Sequence, residues 1–406
     1  MSIEQFNLIS MQEALDLLGV SRSTFDRWRK WKQLPFMKIG KEILIDKGEL
    51  EKWVRHHAVS LEKPALVLGG ATSMMSTQER AATITVGYQS GTAHMWTSLI
   101  MKELGWFEEE LASIPARRAI QVNWFDGAGG TVLVQGILGG SVQIASLGDY
   151  PITICNSMRQ MFPGFSPVML AFDGKTSGGQ GISLVVRKEL EIKDVSEICN
   201  WSLASAPQTS AGRRLSKLLR SLGGNDHRVV HQGMDESMAG IVKRKIAGSA
   251  MWEPYISLAK HNGIGQVLFQ EGLGEDYLTG VVADEQWALN HEAETVAYLK
   301  AHLRVHRFIR EDTEAAANLI SRIKGIPADV AGQILSRVRW DASFYEKDLQ
   351  TLVHLQEEDQ IGQTGASKPP EIHTNCSYLI QAAKALGLPP LSRTPLQQGW
   401  SIEQLY

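Results

Sequence analysis

The sequence predicts two units of different fold class: a small α-helical domain with a β wing, and behind it a large α/β domain. Residues 8–57 carry short amphipathic helices and one alternating stretch around a glycine, whereas strand-like and helix-like segments alternate from residue 83. Residues 64–75, between them, are uncharged and rich in small residues. At 406 residues the chain also exceeds what one hydrophobic core usually serves. We expect domains at 1–60 and 83–406, joined by a flexible linker at 61–82.

The first two helices are predicted from capping signals. Ser10 followed by Glu13 forms a capping box ahead of an apolar helix face, and Gly19 ends that helix. Ser21 is a second capping residue, and it opens a helix over residues 22–31 in which Phe25 and Trp28 face inward. Two short helices joined by a glycine-containing turn form a helix-turn-helix.

A hairpin and a third helix complete this unit. Residues 36–45 alternate around Gly40 and read as two strands, and Asp46 can cap a helix that carries Leu50. Between residues 21 and 41 there are seven basic residues and one acidic residue, a local charge of 7 − 1 = +6 on a chain whose formal charge is −3. Any attraction to nucleic acid is therefore local to this unit.

The motif 19–24, the pair Leu34 and Pro35, and residues 38–41 together resemble the excisionase and MerR-type winged helix-turn-helix. The resemblance implies that the second helix enters the major groove of double-stranded operator DNA while the hairpin follows the backbone. The alternative is a solvated basic face on a protein-protein module. The DNA-binding residues that we predict are Ser21, Arg22, Ser23, Thr24, Arg27, Arg29, Lys38 and Lys41.

The large domain reads as a series of strands, loops and helices, which argues for mostly parallel sheets. Strands are predicted at 83–88, 122–125, 142–147 and 181–186, with a helical stretch at 290–355. Residues 356–372 are predicted to be a loop, and 376–386 a last docking helix. The order of these segments resembles the nitrate, sulfonate, taurine and thiamine-pyrimidine family of ABC-transporter solute-binding proteins. This resemblance, over most of residues 83–355, implies a type II periplasmic-binding-protein-like fold whose two lobes close around a ligand.

The ligand cleft is predicted where loops leave the carboxyl ends of strands and meet helix N-termini, because free N–H groups there suit an anion. Asp149 and Glu253 can accept hydrogen bonds from an amine, which suggests a zwitterion, although Asp149 can instead cap its own helix. Trp252 is interpreted either as an aromatic wall of the ligand cleft or as an ordinary core residue. The predicted ligand residues are Gln89, Ser90, Gly91, Thr92, Thr131, Asp149, Tyr150, Thr209, Ser210, Trp252 and Glu253.

Other chemistry is not indicated. The three cysteines lie far apart without metal or disulfide spacing, and His56, His57, His94 and His231 are interpreted as surface or helix-face residues. Neither Ser205 nor Ser210 has a nucleophile-elbow context. We expect no catalytic residue, metal or cofactor, and no secretory signal in the first residues.

The sequence hypothesis is a cytoplasmic, homo-oligomeric regulator that binds DNA, senses a small anionic or zwitterionic metabolite, first of all a sulfonate or taurine-like compound, and does not bind membranes. One alternative is a solute-binding protein for sulfonate, nitrate or taurine uptake. A second is an enzyme of thiamine-pyrimidine precursor synthesis, which the absence of a cysteine-rich motif disfavours.

Overall fold

The computed structural model describes residues 8–18, 22–31, 33–39, 42–58, 82–115, 120–162, 164–225, 228–360, 371–400 and 406. The N-terminal unit has three helices and a three-stranded antiparallel sheet of order β1-β3-β2. Its elements are β1 (Leu8–Ser10), α1 (Met11–Leu18), α2 (Arg22–Trp31), β2 (Met37–Ile39), β3 (Glu42–Asp46) and α3 (Lys47–Ala58).

The predicted capping signals are confirmed where the structure describes them. The backbone N–H of Ser10 donates to Glu13 Oε2 (2.6 Å), and that of Glu13 donates to Ser10 Oγ (3.2 Å), which is a capping box. Asp46 accepts from the N–H of Glu49 at 2.9 Å and caps α3. The predicted cap Ser21 lies outside the described residues. Strand β1 was not predicted, and it forms because the chain ahead of α1 pairs with β3.

The large domain begins with four strands of its first sheet and the helices between them. They are β4 (Ala82–Tyr88), α4 (Trp96–Leu104), α5 (Trp106–Ala112), β5 (Ile120–Asp126), α6 (Gly130–Leu138), β6 (Ile144–Gly148), α7 (Asp149–Met161) and β7 (Pro167–Thr176). The chain then enters a second sheet through β8 (Ile182–Arg187), β9 (Leu203–Ser205), α8 (Ser210–Ser221), β10 (Val230–His231), α9 (Met234–Val242), β11 (Gly248–Trp252), α10 (Tyr255–His261) and β12 (Gly265–Leu268).

The chain finally returns to the first sheet. The returning elements are β13 (Tyr277–Asp284), α11 (Glu285–Asn290), α12 (Glu292–Glu311), α13 (Thr313–Lys324), α14 (Ala328–Arg337), β14 (Arg339–Trp340), α15 (Glu346–Gln360) and α16 (Ser377–Ala385). Lobe 1 is built on the sheet of order β14-β7-β13-β6-β4-β5, and lobe 2 on the sheet of order β10-β9-β11-β8-β12. Residues 356–360 are helical and not loop as predicted, because α15 continues to Gln360 along its packed face.

The two sheets are mixed and not mostly parallel as predicted. Strand β4 pairs parallel with β5 and β6, and β9 pairs parallel with β10 and β11. In contrast, β13 runs antiparallel to β6 and to β7. Strand β7 carries the chain out of lobe 1, and β13 carries it back. None of the described helices is both long and apolar enough to cross a bilayer.

Two crossing segments, residues 177–181 and 269–276, join the lobes and touch each other backbone to backbone. Gly272 has φ of 111°, and a Cβ on it would lie 2.1 Å from the carbonyl oxygen of Gly178. Gly179 has φ of 70°, and a Cβ there would lie 2.5 Å from the carbonyl oxygen of Leu273. Only glycine fits a left-handed backbone at such close approach.

The N-terminal unit packs on lobe 1. Helix α3 lies against α6, and the side-chain amide of Gln135 on α6 donates to the carbonyl oxygen of Leu18 at the end of α1. The apolar cores of the two units are continuous. The helix α6 therefore contacts the N-terminal unit directly.

Candidate functional site

Four of the predicted ligand loops, at 89–92, 148–150, 209–210 and 252–253, meet at the interface between the lobes. The loop after β4 reaches the end of β11. There, Trp252 Nε1 donates to the carbonyl oxygen of Gly91 (2.9 Å), and the N–H of Ala93 donates to the carbonyl oxygen of Glu253 (2.8 Å). A Cβ on Gly148 would lie 3.1 Å from Ser210 Oγ, so the loop after β6 faces the start of α8. The topology rule that placed these loops at one edge is thus consistent with the geometry.

Asp149 and Arg214 form a buried ion pair between the lobes. Arg214 Nη2 on α8 donates to Asp149 Oδ2 at the start of α7 (2.8 Å), and both side chains are almost wholly buried. Arg214 also donates to the carbonyl oxygens of Glu275 and Asp276 in the second crossing segment. Although burial opposes the charge, Asp149 raises the pKa of Arg214. Asp149 is therefore engaged by the protein itself.

Arg214 was missed by sequence reasoning, although one signal for it exists. It follows Ser210 by four residues, which places both on the same face of α8. Its Nη1 donates to the Ser210 carbonyl oxygen (3.3 Å), and its buried Nε has no partner among the described residues. The available signal was a basic residue placed one helical turn after Ser210, at the start of a helix that the sequence predicts to bind an anion.

The other predicted ligand residues are mostly held by local contacts. Thr209 caps α8, accepting from the N–H of Gly212 (3.1 Å) and donating to the Ala206 carbonyl oxygen (2.7 Å). Ser90 Oγ accepts from Lys324 Nζ on α13 (2.9 Å). The remaining ones are the buried Gln89 and Thr92, and the half-buried Thr131 near the start of α6 and Tyr150 on α7.

Glu253 is buried beside the start of α10. Its carboxylate accepts from Ser257 N–H (3.0 Å) and Oγ (2.8 Å), and burial raises its pKa. It also lines a cavity of about 390 Å³, the hinge cavity, which lies between the lobes next to the crossing segments. Of the predicted ligand residues, Glu253 alone lines this cavity.

Lobe 1 contains a buried polar cluster of Asp173, His302 and His306, whose side-chain atoms lie within reach of one metal ion. These atoms bond to protein groups instead. Asp173 Oδ1 accepts a hydrogen bond from Thr97 Oγ1 (2.5 Å) and lies 3.0 Å from His306 Nε2. His302 Nε2 lies 3.0 Å from the carbonyl oxygen of Phe172. The arrangement is a hydrogen-bond network in the core, in which the buried His302 Nδ1 has no partner among the described residues.

We predict that acid destabilises the fold through buried histidines. His94, expected on the surface or on a helix face, is fully buried, and burial lowers the pKa of His94 and of His306 to about 3. The unfolded chain binds these protons near pH 6.5, so stability present above that pH is lost as pH falls toward 3. From pH 7.5 to 5.5 the free energy of unfolding should fall by about 1.4 kcal/mol per histidine, measured by urea denaturation.

The exposed His231 provides the control for this prediction. His231→Gln should retain the whole pH dependence because the buried imidazoles of His94, His302 and His306 all remain, whereas His94→Gln and His306→Gln should each reduce it. Equal stability at the two pH values would contradict the prediction.

Six of the eight predicted DNA-binding residues are described, and they lie on α2 and β2. Arg22 on α2 and Lys38 on β2 are exposed, and Ser23, Thr24 and Arg27 also lie on α2. Ser21 and Lys41 lie outside the described residues. Arg29 is less available than predicted, because its guanidinium pairs with Asp26 (3.2 Å) and lies over the Phe36 ring at 4.8 Å.

Comparison with known proteins identifies both folds. Residues 8–58 match a family model described as a helix-turn-helix domain. The alkanesulfonate-binding protein SsuA from Xanthomonas axonopodis pv. citri, bound to MOPS, superposes with a TM-score of 0.58 at 14% identity, covering 72% of this chain and 96% of that one. The aliphatic sulphonate binding protein SsuA from Escherichia coli gives 0.55 at 18% identity, with coverages of 72% and 96%.

The periplasmic nitrate-binding protein NrtA from Synechocystis PCC 6803 gives a TM-score of 0.56 at 16% identity, covering 76% of this chain and 89% of that one. At these identities the likeness establishes the fold alone. No curated protein matches the chain in sequence. The molecule therefore joins a helix-turn-helix domain to a two-lobed α/β domain with the periplasmic-binding-protein fold. The solved proteins named above are binding proteins, two for sulfonates and one for nitrate.

Proposed function

We propose that this protein is a ligand-responsive transcriptional regulator, in which the helix-turn-helix binds operator DNA and the two-lobed domain senses a small metabolite. The metabolite is anionic or zwitterionic, first of all a sulfonate or taurine-like compound. The protein acts in the cytoplasm as a homo-oligomer, because one small winged helix offers few contacts and paired half-sites add effective concentration.

The observation that carries this proposal is the position of α6. A Cβ on its first residue, Gly130, would lie 2.2 Å from Pro151 and 3.7 Å from Gln89. The loop of Gln89 contacts lobe 2 through Gly91 and Trp252, while Gln135 contacts the end of α1. A change in lobe angle that displaces α6 would also displace the helix-turn-helix. A ligand shifts this equilibrium only by its difference in affinity for the two lobe angles.

For the DNA contacts we propose that Arg22, Thr24 and Arg27 contact base edges, while Lys38 and Lys41 contact phosphates. The exposure of Arg22 and Lys38 supports these roles. Basic side chains on a recognition helix pair with guanine edges, and lysines on a wing neutralise the backbone.

For the ligand we propose that the loops at 89–92, 130–131, 148–150, 209–210 and 252–253 supply contacts when the lobes are open. Four helices begin at or next to these loops, which favours an anion. Asp149 is available to an amine only after it leaves Arg214, so a zwitterion has to replace the ion pair between the lobes.

The DNA test uses the full chain and the DNA fragment upstream of its own gene. Arg22→Ala should weaken binding by about 5-fold to 150-fold, the equivalent of 1–3 kcal/mol for a base contact, and relax sequence preference. Lys38→Ala should weaken all sequences alike and reduce the salt dependence. Fluorescence anisotropy at several salt concentrations measures both effects.

The control for this test is Lys243→Ala, at an exposed position just after α9 in lobe 2, which should bind DNA like the parent protein. Absence of any DNA binding at low salt would refute the regulator.

A further inference from the structure

We propose that lobe 1 carries a separate small-molecule site, for an uncharged molecule with one ring and one hydroxyl group, such as a simple phenol. The site is a cavity of about 220 Å³ beside α16, which we call the α16 pocket. It is larger than an engineered cavity of about 150 Å³ that holds benzene, and smaller than the roughly 300 Å³ at which sites for drug-sized molecules begin. The volume therefore suits a single substituted ring.

Three parts of lobe 1 enclose the α16 pocket. They are residues 343–344 between β14 and α15, residues 376–380 at the start of α16, and residues 390–396 beyond α16. Among the described residues that line the pocket, none belongs to lobe 2, to a crossing segment or to a predicted ligand loop. Binding here consequently depends neither on closure of the lobes nor on DNA.

Hydrogen bonds hold these three parts together. The N–H of Leu396 donates to the carbonyl oxygen of Phe344 (2.9 Å), and the N–H of Glu346 donates to the carbonyl oxygen of Leu396 (2.9 Å). The thiol of Cys376 donates to the carbonyl oxygen of Arg393 (3.2 Å). Because its walls are bonded to each other, the α16 pocket is formed before a ligand binds, as small-molecule sites usually are.

Most of the lining is apolar. The apolar side chains are those of Phe344, Leu379, Ile380, Pro390, Leu391 and Leu396. Within the part of the chain that the structure describes, no charged side chain lines the pocket. Because burying a charge without a partner is costly, this lining favours an uncharged molecule over an ion.

Ser343 supplies the free polar group of the α16 pocket. Its N–H donates to Asp341 Oδ1 (3.0 Å), and its carbonyl oxygen accepts from Lys175 Nζ (2.8 Å). Its Oγ is buried and has no partner among the described residues, and the residue is only 6% exposed. The other two polar side chains of the lining, Ser392 and Cys376, already donate to carbonyl oxygens. A ligand hydroxyl that pairs with Ser343 Oγ removes the cost of leaving that buried group unpaired.

The binding test titrates the full chain with 4-ethylphenol by calorimetry, with ethylbenzene as a probe of the same shape that lacks the hydroxyl group. We expect 4-ethylphenol to bind. Ser343→Ala should weaken its binding about threefold to tenfold and leave the binding of ethylbenzene unchanged. Ser392→Ala is the matched control, because the Ser392 hydroxyl donates to the Thr394 carbonyl oxygen (2.7 Å), and it should change neither affinity.

The thiol of Cys376 reports whether the molecule occupies this pocket. Alkylation by iodoacetamide is followed by peptide mass spectrometry, with Cys199, which is also half-buried but lies in lobe 2, as the reference. Saturating 4-ethylphenol should slow alkylation of Cys376 at least threefold and leave the rate at Cys199 unchanged. The anion 4-ethylbenzoate, at the same concentration, should protect neither thiol.

Four results would overturn the site. They are absence of 4-ethylphenol binding, binding that leaves the alkylation rate of Cys376 unchanged, equal loss of both probes in Ser343→Ala or no loss of either, and protection of Cys376 by 4-ethylbenzoate as strong as that by the phenol. None of these results bears on the regulator, because the α16 pocket shares no residue with the loops or the helix-turn-helix proposed for it.

Discussion

Replacing Lys175 by Met is expected to lower the free energy of unfolding by about 3–5 kcal/mol. Lys175 on β7 donates to Asp348 Oδ2 on α15 (2.8 Å) and to the Ser343 carbonyl oxygen (2.8 Å), and neither side chain of the ion pair is exposed. Without the ammonium group, the buried Asp348 carboxylate loses its charge partner and the Ser343 carbonyl oxygen loses a donor. Urea denaturation at pH 7.5 measures the loss.

The control is the double variant Lys175→Met/Asp348→Leu. Removing both charges restores part of the stability, because replacing a buried ion pair by apolar groups is often close to neutral. Asp348 also accepts from Trp400 Nε1 (2.8 Å), so recovery is incomplete. A single variant that costs less than about 1 kcal/mol would contradict this prediction.

Replacing Arg214 by Met is expected to change the shape of the molecule. This ion pair joins the two lobes, and we expect the unpaired Asp149 to regain water by opening of the interface between them. We expect a larger radius of gyration in X-ray scattering, and a stability loss of about 1–3 kcal/mol, smaller than that of the Lys175 variant. Breaking the two buried ion pairs is thus expected to have different effects, because one pair lies within a lobe and the other lies between the lobes.

Two further variants separate charge from packing. Asp149→Asn leaves the Arg214 cation buried without its partner and should open the interface as well. The double variant Asp149→Asn/Arg214→Met carries no buried charge there, and its scattering should return toward that of the parent. If Arg214→Met scatters like the parent protein, the ion pair does not hold the lobes together.

Local sequence patterns predicted much of the fold. The capping box of Ser10 and Glu13 and the cap at Asp46 were predictable because the bonds lie within three residues. Strand β1 was not predictable in this way, because it exists only through pairing with β3, more than thirty residues away. The antiparallel course of β13 likewise depends on where the chain re-enters lobe 1 and not on any local pattern.

The site was predicted less completely. Helix starts and strand ends indicated the loops, and these loops do meet at the interface between the lobes. The pairing of Asp149 with Arg214 needs the relative position of two lobes, which no local pattern contains. The hinge cavity depends on α14, which lies more than sixty residues beyond α10 in the chain and yet packs against it. Sequence spacing does not bring Lys260 on α10 and Arg337 on α14 to one cavity.

Gly178, Gly179 and Gly272, where the crossing segments touch, limit what can change among relatives of this protein. The two crossing segments meet here through their peptide groups, so we expect a rotation of the lobes about this contact to depend little on side-chain identity. Substitutions in the side chains that line the interface between the lobes are expected to change which molecule is recognised and how far the lobes rotate. The direction of the rotation is expected to stay the same. Relatives that keep these glycines are therefore expected to rotate their lobes in the same direction, even where their ligands are chemically unrelated.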